Sequence, residues 1–161
     1  MSEKEQFLST MAREFPTTMR VLKAYPAGKG DLKPHAKSKT ARELAWMFVT
    51  EEKACNMALD GALELGKMPK PPDTLPEVIA SYEKAHSAFV DRMKETPEAE
   101  LNQTIKFMTG PKQMGDMRKM DVLWFMLMDS VHHRGQMTVY LRLADAKVPS
   151  IYGPSADEPW I

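Results

Sequence analysis

An aspartate and a histidine stand four residues apart in "DSVHHRGQ", residues 129–136, directly after the apolar run "VLWFMLM". On a helix, side chains at i and i+4 share a face, so Asp129 and His133 can aim a carboxylate and an imidazole at one point. Two chemistries use such a pair. One is a mutually satisfied hydrogen bond; the other is a pair of ligands for a divalent ion, which needs at least a third donor. Glu51 is the third donor that residue type and spacing offer. On a helical projection Leu44, Glu51, Ala54, Ala58 and Ala62 all fall within about 60° of Met47, which puts one carboxylate on a small, apolar face. A carboxylate there is costly unless it is paired or reaches water at a rim.

Other polar residues carry weaker signals. His86 shares a stripe with Tyr82, Phe89 and Met93 and reads as a hydrogen-bonded core histidine. His35, in "LKPHAKS", reads as an exposed loop residue. The lone cysteine, Cys55, has no cationic neighbour in sequence and reads as a small buried hydrophobe rather than a nucleophile. "GKGDLK" lacks the spacing of a phosphate loop. The 14 methionines fall mostly on apolar stripes, as core fillers, and Trp46, Trp124 and Trp160 read as packing or interface residues.

Four helical segments must position these groups, and no strand pattern competes with them. The first spans about Glu5 to Lys23, with Phe7, Met11, Phe15, Met19 and Leu22 on one stripe and Pro16 expected to bend or break it. The second begins after the Thr40–Glu43 capping box and runs to about Leu65, before Gly66. The third begins at Thr74, with Glu77 three residues on, and ends before Pro97. The fourth runs from about Asp116 to Ala144. With Asp129 at zero on this last helix, Val122 and Tyr140 fall near about 20°, His133 near about 40° and Met126 near about 60°. Gln136 falls near about −20°, and Phe125 and Leu143 near about −40°. That phase predicts Asp129, His133 and Gln136 facing inward, His132 at the edge and Arg134 pointing away.

Between the second and third helices the chain is short and proline-stiffened. The other links are long, and "LNQTIKFM" is expected as an extended strap; the tail "AKVPSIYGPSADEPWI" is expected to lack regular structure and to pack its aromatics back. The expected class is all-α: one domain over residues 1–161, a four-helix bundle with long crossovers. Balanced charge, 22 basic against 22 acidic residues, argues against nucleic acid as the main partner. The longest apolar run is too short for a membrane span, the charged N-terminus carries no signal core, and a single cysteine fits a reducing, cytoplasmic setting.

"ELAWMFVTEE", "LMDSVHHRGQMTVYLR" and the ending "AKVPSIYGPSADE" resemble the DinB/YfiT-like family of small helical bundles, over nearly the whole chain. The resemblance implies an up-down-down-up bundle, frequently a homodimer, holding a divalent metal such as zinc, nickel or manganese. Its ligand positions would be His133, Asp129 (histidine in many members) and a helix-2 histidine that here is Met47. Some members transfer low-molecular-weight thiols or isomerise with thiol help; others respond to DNA damage. Met47 departs from the pattern, because a thioether is a soft ligand and carboxylates suit harder ions. Three outcomes stay open: Glu51 supplies the missing ligand, His132 rotates in, or the metal is weakly held or absent and Met47 fills space. Gln136, Tyr140 and His132 are the expected supporting residues. Function divides accordingly. One expectation is metal-assisted thiol-transferase or hydrolase-like chemistry on a small molecule. The other is a non-enzymatic, dimeric binding or stress-response protein without metal.

Overall fold

A computed structural model describes residues 1–64, 66 and 68–161. It is mainly helical: α1 (Glu3–Ala24), α2 (Ala41–Asp60), α3 (Leu75–Glu95), the short α4 (Glu98–Leu101) and α5 (Lys119–Leu143), with a two-stranded hairpin, β1 (Thr104–Gly110) and β2 (Gln113–Arg118), between α4 and α5. Ser2, Thr40 and Thr74 each start a helix through a capping box, their side chains accepting from the amides of Glu5, Glu43 and Glu77 while those acids reach back to the cap amide. Pro16 does not break α1, which is one helix with the proline inside it. The second helix stops earlier than its composition suggests. Gly61 adopts φ 92°, a left-handed conformation that favours glycine, and its amide closes on Ala58 O. The expected end at Leu65 lies outside the described residues.

The hairpin corrects the expectation of an all-α chain. β1 alternates, with Ile105 and Phe107 buried and Lys106 and Met108 exposed, and it pairs antiparallel with β2 so that Lys106 faces Asp116. Their side chains bond at 2.9 Å. Asp116, expected to open the last helix, is therefore a strand residue, and α5 begins at Lys119, whose buried ammonium donates to Leu59 O at 2.8 Å. The alternation was legible in "TIKFM", but its apolar residues also suit a helical count, and only the turn at Pro111–Lys112, with Lys112 at φ 58°, brings the strands together.

Side-chain pairings give the helix directions. Glu52 meets His86 and Asp60 meets Arg92, so α2 and α3 run the same way. Phe7 meets Phe89 and Lys23 meets Glu83, so α1 opposes α3. Thr18 meets Arg134 and Glu3 meets Trp124, so α5 runs with α1.

Two apolar clusters form the core. One holds Leu22, Phe48, Val78 and Leu141; the other holds Phe7, Ala58, Phe89, Phe107 and Leu123. Between them, at the middle of all four long helices, lies a polar belt of Thr18, Glu51, Glu52, His86, Ser130, His133 and Arg134. Burying so many polar groups is tolerable because they bond one another, with Glu52 Oε2 the exception among the described residues.

Candidate metal centre

Glu51 is 4 % exposed at the centre of α2, the helix that packs against both α3 and α5. His133 Nδ1 lies 2.5 Å from its Oε1, and the Ser130 hydroxyl donates to its Oε2. Asp129 Oδ2 stands 3.8 Å from the same His133 nitrogen. One ligand atom each from Glu51, Asp129 and His133 can be chosen so that all lie within 4.8 Å of one another, near enough to surround one cation. Met47 is half-buried one turn before Glu51 and shares with Glu51 and Asp129 the wall of an apolar cavity.

Electrostatically the group is governed by burial and by the bond between Glu51 and His133. Burial pushes the Glu51 carboxyl up to about 7, against the opposing hydrogen bonds from His133 and Ser130, with Asp129 adding to the rise. The bond to Glu51 holds the His133 imidazole above its ordinary value, outweighing its burial. Both shifts run toward protonation, and a divalent ion at the same point would compete with the protons.

The helical phase expected for α5 is corrected. Its buried face is centred on Leu123, Leu127, Arg134, Met137 and Leu141, about 120° from Asp129, and extends to Val122, Met126 and Tyr140, which are buried as expected, so Asp129 and His133 occupy the flank that meets α2 rather than the centre. Asp129 is accordingly 35 % exposed. Phe125, Leu143 and Gln136, expected inside, are exposed, and Arg134, expected outside, is 1 % exposed. Its guanidinium binds Thr18, Glu14 and the Tyr152 hydroxyl, pinning the C-terminal segment over α1. The error has a physical origin: "VLWFMLM" is apolar all round and carries no phase.

Of the expected supporting residues, Gln136 and His132 sit outside, bonded to each other at 2.8 Å. The Tyr140 hydroxyl is turned away, donating to Lys39 O at 2.8 Å. His35 is exposed and Cys55 is buried. Trp46 packs inside and donates to Pro69 O, and Trp124 lies edge-on to Phe7. The tail has no helix or strand, and Val148 and Ile151 pack on the core; Trp160, expected to pack back, is exposed. Ser130 and Glu52 escaped the sequence reading. Glu52 lies about 100° round α2 from Glu51, toward α3, and its Oε1 is 2.8 Å from His86 Nδ1. The adjacent acids "EE" facing two histidines were the available signal.

Comparison with known proteins agrees with this architecture. A model of the DinB family matches residues 1–160. The chain is 28% identical over 156 residues to the uncharacterized protein YrdA of Bacillus subtilis (strain 168), covering 96% of this chain and 90% of that one. Among solved structures, a DinB-like protein from Bacillus cereus ATCC 10987 superposes with a TM-score of 0.76 at 24% identity, over 92% of this chain and 97% of that one. A DinB-like protein from Bacillus subtilis, YjoA, superposes with a TM-score of 0.73 at 19% identity, over 91% and 97% of the two chains. These two likenesses speak to the fold.

Proposed function

Because the chain belongs to the DinB family, we propose that Glu51, Asp129 and His133 hold one divalent ion at the polar belt, with chemistry performed on a small molecule at its open side. One observation carries the reading: two carboxylates and an imidazole converge within 4.8 Å, beside a cavity that Glu51 and Asp129 themselves line. The donor set fits the group. Three protein ligands with a remaining open position is the pattern of a catalytic ion, and a two-oxygen, one-nitrogen set suits zinc or manganese better than a thioether would. In this reading Glu51 replaces the family's helix-2 histidine and Met47 is wall rather than ligand. Ser130 orients the Glu51 carboxylate, and Asp129, nearest to water, faces the cavity. The ion would supply Lewis acidity, lowering the pKa of a bound water or thiol. Thiol-transferase or hydrolase-like chemistry is the class that such a centre serves, in an up-down-down-up bundle working as a homodimer; the helix pairings support the bundle.

A second reading has its own observation. Both Glu51 oxygens already have partners in Ser130 and His133, so the site is chemically complete as a hydrogen-bonded core element of a non-enzymatic binding or stress-response protein.

Elemental analysis of untagged protein, repeated after incubation with zinc, nickel and manganese, separates the two. The first reading expects one ion per chain, lost in Glu51→Ala and retained in Met47→Ala. No ion in the wild type, with tight binding appearing only in Met47→His, would establish the second.

A further inference from the structure

The cavity beside the candidate centre is unlike the site itself. It lies between α2, α5 and the β1–β2 hairpin, with a volume of about 670 Å³, in the range that houses small organic ligands. Met47, Met68, Phe107, Phe125 and Met126 make most of its wall. Among the described residues its charged lining is confined to Glu51 and Asp129. No lysine, arginine or histidine among the described residues lines it. A phosphorylated or polyanionic ligand would therefore find no counter-charge among the described residues of the wall, and a sugar, nucleotide or peptide would leave most of its hydrogen-bonding groups unpaired there. The cavity also accounts for part of the exposed apolar surface: Met108 of β1 and Phe125 of α5, 52% and 51% exposed, line it where a ligand would cover them.

We propose that this cavity binds amphiphilic small molecules: an alkyl or arylalkyl body between the hairpin and α5, and a compact metal-ligating head at the Glu51–Asp129 end. The head-group half rests on the metal reading above; the apolar half does not. The thioether walls adapt their shape to the ligand, so the site selects for apolar length rather than for one outline. That makes the hairpin, whose Ile105 and Phe107 pack into the core while its Met108 stays exposed, a specificity element.

Calorimetric titration of the full chain tests this with two series. Metal-loaded protein is titrated with unbranched hydroxamates from acetohydroxamate to decanohydroxamate, and metal-free protein with n-alkanols from butanol to decanol. Affinity should climb about three- to fourfold per added methylene in both series until the cavity is full. The double variant Met108→Gln, Phe125→Gln changes only half-exposed side chains; it should weaken octanohydroxamate about tenfold and leave the metal content unchanged. Failure of the protein to take up metal would sink the head-group half together with the proposed function, while the alkanol series still judges the cavity. A flat alkanol series, or a climb that the double variant does not alter, would overturn the cavity proposal even with metal bound.

Discussion

Two glutamates adjacent on α2 each hold a histidine, and their surroundings give them different fates. Glu52 turns toward α3, where His86 lies 2.8 Å away and stacks flat on Phe15 with ring centroids 3.8 Å apart. Its second oxygen is buried with no hydrogen-bond partner among the described residues, and no third ligating group joins it there. Glu51 turns toward α5, where His133 is joined by Asp129 and where one side opens on the apolar cavity. The chemistry of the two pairs is the same; what differs is a third donor and a way in. A Glu–His pair closed by an aromatic ring is a structural bond, and the same pair with an added carboxylate and an entrance is a candidate centre.

The sharpest way to break that contrast is to empty the closed pair. His86→Ala removes a stacked ring from the core and leaves the buried Glu52 carboxyl without its imidazole, so denaturant unfolding should show a loss of about 3 to 5 kcal/mol. A loss below about 1 kcal/mol would mean that water reaches Glu52 and the two pairs are alike.

A pH titration of stability sharpens the open pair. Glu51 has a folded value of about 7 against an ordinary 4.5, so the folded chain binds more protons than the unfolded one across that interval. The resulting stabilisation is fully present below about 4.5 and is lost as the pH rises through about 7. His133, also raised, extends the loss upward. Metal-free protein should therefore lose on the order of 3 kcal/mol between these limits, and Glu51→Gln should flatten the profile. A bound ion should reverse the slope, because deprotonated ligands favour it.

Asp129→Asn has the smallest expected effect on folding. With 35% of its side chain exposed, the change should move metal-free stability by less than about 0.5 kcal/mol while lowering metal content. A large stability loss with unchanged metal content would make Asp129 a structural partner of His133 and erase the difference between the two pairs.

Much of the frame was legible residue by residue. Thr40–Glu43 and Thr74–Glu77 announce two helix starts because capping boxes are local. The i, i+4 spacing of Asp129 and His133, and the carboxylate among alanines at Glu51, indicated the three groups that converge. The rotation of α5 was not legible, since an all-round apolar run leaves burial to be decided by neighbours. Arg134 shows the cost of that ambiguity, because its inward position depends on Glu14, Thr18 and Tyr152 from distant segments.

Residue order alone thus carried the helices, their caps and the identity of three convergent donors, because spacing and capping act over a single turn. The hairpin, the phase of α5, the closure of Glu52 on His86 and the cavity wall came from packing between segments. Each depends on which of several chemically acceptable faces meets another part of the chain, and local periodicity holds no record of that choice.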